Sequence, residues 1–217
     1  MVRGSWFLLA IASVVVIVAV LQSPNDVDRS DEFWRTLHIR ASEVEQYDSL
    51  EGMAKAADAV VVARIRSVSP GRVFGEFVEG PHVDDALAHY ASITIEIDEV
   101  LAGALPAEDT QILVLEVMVP QPADLPALTD QIPTETSIYF LRSKEMEAQR
   151  LGLPDDDVKA EDGFYRLVVQ EALLRVFDGA VHPSPIAERP FLVALEGRRM
   201  EDVVSIIRSA GARQPAG

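Results

Sequence analysis

Between residues 59 and 177 the sequence breaks into six short runs of β-branched and apolar residues, punctuated by glycine, proline and acidic turns, with no helical period alternating regularly between them. Consecutive strands without crossover helices do not build a parallel sheet, so the pattern predicts an antiparallel barrel or sandwich. The clearest run is 92–98, where Ile93, Ile95 and Ile97 alternate with polar residues and leave one face apolar. Residues 59–69 open with Ala-Val-Val-Val, the mark of a strand buried on both faces, and stop at Pro70-Gly71. Further strands are expected at 112–118, 137–142, 164–169 and 173–177, the last ended by an Asp178-Gly179 turn, with a seventh at 191–195.

Helices frame these strands. Phe33 and Leu37 stand four apart beside Trp34 and predict a short amphipathic helix packed on the domain, with Ser30 as its cap. Ser42 and Glu45 have the spacing of a capping box, and Leu50, Met53, Ala54 and Ala57 recur at helical intervals, so a helix is expected over 49–57. Met200, Val203, Val204, Ile206 and Ile207 predict a terminal helix with Gly211 at its C-cap. The expected class is mainly β with flanking helices, an α+β arrangement around an antiparallel β-barrel.

Upstream of the strands, residues 6–21 are apolar except for Ser13, and with Gly4 and Ser5 they make 18 residues without a charge. As a helix they would extend about 27 Å, close to the ~30 Å hydrocarbon core of a bilayer. A cleaved signal peptide needs small side chains at −1 and −3, and the sequence offers Leu21 at −3 for a cut after Ser23 and Ile17 for a cut after Ala19. An uncleaved anchor through residues 4–21 is therefore expected. Arg3 precedes it, while Asp26, Asp28, Asp31 and Glu32 follow, an asymmetry that directs the C-terminal domain outward. The expected organisation is a signal-anchor at 1–21, a linker with a juxtamembrane helix at 22–48, of which 22–30 is the linker proper, an extracytoplasmic barrel domain at 49–211 and a loose tail at 212–217. The location that follows is the cell membrane, crossed once.

Charge and cysteine usage remove whole classes of function. The net charge of the 217 residues is −16, which repels phosphate backbones, and no basic patch offsets it, so nucleic acid is not an expected partner. With no cysteine, the chain has no disulfide, thiolate metal site, cysteine nucleophile or lipidated cysteine.

The run 57–65, Ala-Asp-Ala-Val-Val-Val-Ala-Arg-Ile, followed by Ile-Asp-Glu-Val-Leu-Ala-Gly at 97–103 and Ser-Ile-Tyr-Phe-Leu at 137–141, resembles the succession of strands in the netrin-like, tissue-inhibitor-of-metalloproteinase-type barrel, a layout similar to that of uncharacterised exported proteins of bacteria. The resemblance spans 57–179 and implies an OB-like architecture. The chain departs from the family in lacking every cysteine, including the N-terminal one with which the inhibitors chelate a protease's metal, so inhibition does not carry over. The fold by itself hosts unrelated functions.

Few residues suggest chemistry. His82, Asp85 and His89 stand at i, i+3 and i+7, and on a helix they would share a face and present imidazole and carboxylate to a divalent metal such as zinc; the same three residues also suit a solvated loop. The acidic stretch at 155–162 lacks the glycine of a calcium-binding loop, since Ala160 stands sixth, and reads as a hydrated surface loop. Arg64, Arg66, Arg166 and Arg175 fall in strands, where they either form an anion-binding patch or pair across strands with Glu96, Asp98 or Glu116. The sequence holds no Gly-x-Ser-x-Gly elbow, His-Glu-x-x-His helix or phosphate-cradling glycine loop. Phe74 and Phe77, in a glycine-punctuated connection at 71–77, are the candidate partner-binding surface, or else they cap the barrel. The expectation is a membrane-tethered extracytoplasmic binding or scaffold module that contacts an unidentified protein or ligand, without a resident cofactor. The alternative is an extracytoplasmic metal-dependent hydrolase using His82, Asp85 and His89.

Overall fold

A computed structural model describes residues 24–38, 45–75, 87–107, 110–120 and 128–212. In chain order the elements are α1 (Pro24–Thr36), α2 (Leu50–Ala56), β1 (Ala59–Phe74), β2 (Ala88–Gly103), β3 (Ile112–Val119), β4 (Thr136–Ser143), α3 (Lys144–Arg150), α4 (Asp155–Ala160), β5 (Phe164–Leu167), β6 (Leu173–Phe177), β7 (Ala180–Pro183), α5 (Pro190–Val193), β8 (Arg198–Arg199) and α6 (Met200–Gly211). The fold is mainly β, one eight-stranded sheet with helices around it.

The strand order is β1-β2-β3-β5-β4-β6-β7-β8, and β1 also pairs with β4, so the first five strands hydrogen-bond in a cycle. Every pairing is antiparallel except β3 with β5. The start of β1 makes the cycle possible. Its residues Ala59 to Ala63 pair on one edge with β2, from Gly103 to Ile97, and on the other with β4, from Leu141 to Ser137. Four register shifts along β1 against β2 add the local twist that curls a long strand.

Alternation along β1 and β4 separates two cores. Val60, Val62, Ile138 and Phe140 face α2 and α6 and pack with Met53, Leu174, Val203 and Ile207. Val61, Ala63, Tyr139 and Leu141 point the other way, onto Ile93, Ile95, Leu115 and Leu173. This second core also takes Phe33 and Trp34 from α1 and Leu37 from the turn that ends it, each at most 5% exposed. Each such side chain contributes about 1.5–3 kcal/mol by leaving water. Gly103 ends β2 with φ +74°, and a Cβ there would lie 2.0 Å from the Asp58 carbonyl oxygen, so the turn beside β1 admits only glycine.

Several expectations are corrected. The linker expected at 22–30 is helical from Pro24 onward, proline being suited to a first helical position. Ser30 is not a cap; it sits inside α1, fully buried, and its hydroxyl donates to Glu135. Residues 191–195 are not a strand, because Pro190 starts α5 and Leu192 and Leu195, three apart, turn the same way into the first core. The connection expected after Pro70 is still strand through Phe74, since a register shift between Pro70 and Val73 absorbs the missing proline N–H. The acidic loop is α4, none of whose residues is buried. Gly211 closes α6 rather than following it, and it is needed for contact: a Cβ there would stand 2.8 Å from that of Ala102. The cap of α2 is Ser49, whose Oγ accepts from the Gly52 amide at 3.1 Å.

The expected anchor at 4–21 and Ser42 of the expected capping box lie outside the described residues, and among the described residues no helix is long and apolar enough to cross a membrane.

Candidate functional site

The cycle of strands is weakest where β3 meets β5. Only Val114↔Phe164 and Leu115↔Tyr165 are paired; beyond them β3 stays with β2 and β5 stays with β4. Residues 116–118 and 166–167 therefore diverge, and a cavity of about 480 Å³ opens between them. Trp34 of α1 and Leu37 just after it close one side, with Ile186 nearby, and Tyr90 of β2 stands at another.

Arg166 occupies the gap where a strand would have paired. Its Nη1 donates to the carbonyl oxygens of Leu167 (2.9 Å) and Val168 (3.1 Å), and its Nε donates to Glu147 at 2.7 Å. A second donor, Nη2, also reaches Glu147, and Glu45 lies 3.6 Å from it. Hydrogen bonds from Arg166 hold the Glu147 carboxyl below the usual carboxylate range, although burial opposes them. Burial pushes Glu45 upward, but Tyr47 and Arg142, both hydrogen-bonded to it, leave it lowered.

Behind the opposite wall lies a second ionic cluster. The Glu116 side chain has no exposed surface and receives Arg72 and, at 2.8 Å, Lys144. Desolvation raises its pKa, and those two cations more than reverse the effect. Arg72 also reaches Glu161 at 2.7 Å and is sandwiched between rings, its guanidinium carbon 4.8 Å from the Phe74 centroid and 4.2 Å from that of Phe164.

The residues singled out in the sequence fare differently. Phe74 belongs to this cluster: it is 40% exposed and meets Tyr90 edge-on at 5.5 Å, which places it beside the cavity. His89 pairs across strands with Val119 and Val73. His82, Asp85 and Phe77 lie outside the described residues, and among the described residues no three potential ligands group around a metal position. Arg64 pairs with Asp98 at 2.6 Å and Arg66 with Glu96, while Arg175, 4% exposed, pairs with Asp31. The arginines thus bridge elements and do not gather into an anion site. Comparison with protein-family models, curated proteins and solved structures finds no match to this chain. Sequence reasoning missed Glu147, His38 and the cavity itself; the signal for Glu147 was a Ser143 cap before a polar helix, since Ser143 Oγ accepts from the Met146 amide at 3.2 Å.

Proposed function

We propose that the chain is a membrane-tethered, extracytoplasmic binding module built on an OB-like barrel, and that it binds through the cavity at the β3–β5 seam. The anchor at 4–21 and the charge asymmetry around it support the location. The cyclic order β1-β2-β3-β5-β4 with a parallel β3–β5 contact supports the barrel reading, in keeping with the netrin-like resemblance. OB folds bind on the β2–β3 face and the connections beside it, and the cavity here is bordered by Tyr90, Glu116 and Met118 of those strands and by Glu147 after β4.

The observation that carries binding over catalysis is the state of the ionisable wall. Glu116 and Glu147 are held below the usual carboxylate range by the cations bonded to them, and Glu45 by Tyr47 and Arg142, whereas general acid chemistry needs a carboxyl raised toward the working pH.

Because the chain has no cysteine, Met118→Cys and Leu151→Cys each create a single thiol, one at the cavity and one on an exposed surface. Treating intact cells with a membrane-impermeant maleimide is expected to modify both, and to modify position 118 alone more slowly than in the purified chain, because an occupant of the cavity shields it. Protection of both thiols in intact cells would remove the extracytoplasmic placement, and an equal rate at position 118 in cells and in the purified chain would remove the cavity as binding site.

A further inference from the structure

We infer that the cavity takes a small, uncharged, largely apolar molecule carrying a hydrogen-bond acceptor, and not an ion or a peptide strand. This rests on the binding reading above and adds the ligand's chemistry. The volume of about 480 Å³ falls in the range of small-molecule sites, roughly 300–1,000 Å³. Trp34, Leu37, Val117, Met118 and Ile186 supply apolar walls.

The charges at the cavity have already been matched to one another. An arginine offers five N–H donors. Those of Arg166 are directed to Glu147, to the Leu167 and Val168 carbonyls and toward Glu45. Glu116 is bound by Arg72 and Lys144, and Glu45 by Arg142. A charged ligand would have to break one of these pairs or lie uncompensated against the apolar walls, and either is costly. A peptide strand continuing the seam past Tyr165 would need the carbonyls at and after the end of β5, and the Arg166 guanidinium occupies those of Leu167 and Val168.

What remains unmatched among the described residues is an indole N–H and one imidazole nitrogen. Trp34 lines the cavity, is 5% exposed, and its indole Nε1 has no acceptor among the described residues; Nδ1 of His38, also at the cavity, is likewise buried without a partner among them. An indole N–H only donates, so the group that completes the site is an acceptor such as a carbonyl, ester or ether oxygen.

The test uses the full chain in native membranes and two photoreactive alkyl diazirines of equal chain length, one ending in a methyl ester and the other in a carboxylate, with labelled residues located by mass spectrometry. The ester is expected to label Leu37, Val117, Met118 or Ile186 saturably, and the carboxylate at least about tenfold less, the factor that corresponds to 1.4 kcal/mol. Trp34→Phe keeps a ring and removes the donor, and is expected to raise the half-saturating ester concentration about 3- to 10-fold. Ile186→Trp, which lies outside the strands and fills the cavity, is expected to abolish labelling while the unfolding temperature holds; competition by unlabelled methyl ester checks the same point in the unaltered chain. Equal labelling by the carboxylate overturns the ligand class and leaves cavity binding standing. Absence of cavity labelling by either probe overturns the inference, and the thiol modification experiment then decides the binding reading separately.

Discussion

A carboxyl group withdrawn from water needs compensation, and Glu116 and Glu135 obtain it in opposite ways. Glu116 stays ionised between Arg72 and Lys144. Glu135, 5% exposed, is pushed above the usual carboxylate range by burial, against the hydrogen bond from Ser30 and the more distant charge of Arg175. The signs of the pH dependence follow. A lowered folded-state pKa gives stability that is present above the unfolded-state pKa and lost as pH falls through the folded value. A raised one gives stability that is complete below the unfolded-state pKa and lost as pH rises through the folded value. Glu116→Gln, which removes the buried charge shared by Arg72 and Lys144 and leaves them to Glu161, is expected to cost roughly 3 kcal/mol at pH 7, a penalty that holds down to the unfolded-state pKa near 4.5 and shrinks below it as pH falls through the folded value. Glu135→Gln keeps an acceptor for Ser30 and is expected to gain stability relative to the unaltered chain as pH rises from 4 to 7. Urea unfolding of both variants at pH 3, 5.5 and 7 checks this, and parallel pH trends for the two would contradict it.

At the scale of elements, what the sequence announced and what it concealed divide along a physical line. Runs 92–98, 112–118, 137–142 and 173–177 each lie within an observed strand, because a strand buried on one or both faces must carry its apolar residues in a fixed alternation. α3 and α4 bury little or nothing, so no apolar stripe marks them; they form where Ser143 caps one and three aspartates sit at the N-terminal end of the other. The cavity was concealed for a different reason. It arises from two strands distant in sequence parting after two residue pairs, and no local pattern encodes where a pairing ends. Helix α6 shows how a close approach overrides propensity. Alanine is favoured over glycine by about 1 kcal/mol inside a helix. Gly211→Ala would nonetheless bring two Cβ atoms to 2.8 Å at Ala102. The variant is therefore expected to be less stable than the unaltered chain, with a cycle against Ala102→Gly showing a coupling of about 0.5–3 kcal/mol. A Gly211→Ala chain that melts higher would show that α6 shifts freely on β2.

For the whole molecule, α1 decides where the folded unit begins. The sequence reading began the domain at residue 49 and packed a short helix carrying Phe33 and Leu37 onto it; α1 and the turn after it do supply Phe33, Trp34 and Leu37 to the second core, and Arg175 and Glu135 inside the body are matched by Asp31 and Ser30 of α1. Two consequences separate by where the chain is cut. Removing residues 1–23 touches none of these contacts, and the shortened chain is expected to unfold cooperatively at the same urea midpoint. Removing residues 1–38 takes away three buried side chains, about 5–9 kcal/mol at 1.5–3 kcal/mol each, and leaves a buried arginine and a buried carboxyl without their partners. That loss equals most or all of the 5–15 kcal/mol that holds a domain folded. The longer truncation is thus expected to lose its near-ultraviolet circular dichroism and to be digested by protease at concentrations the shorter one withstands. If both truncations unfold at the same midpoint, α1 is a passenger on the surface, and the cavity that Trp34 and Leu37 help enclose would lose its wall as a fixed feature of the fold.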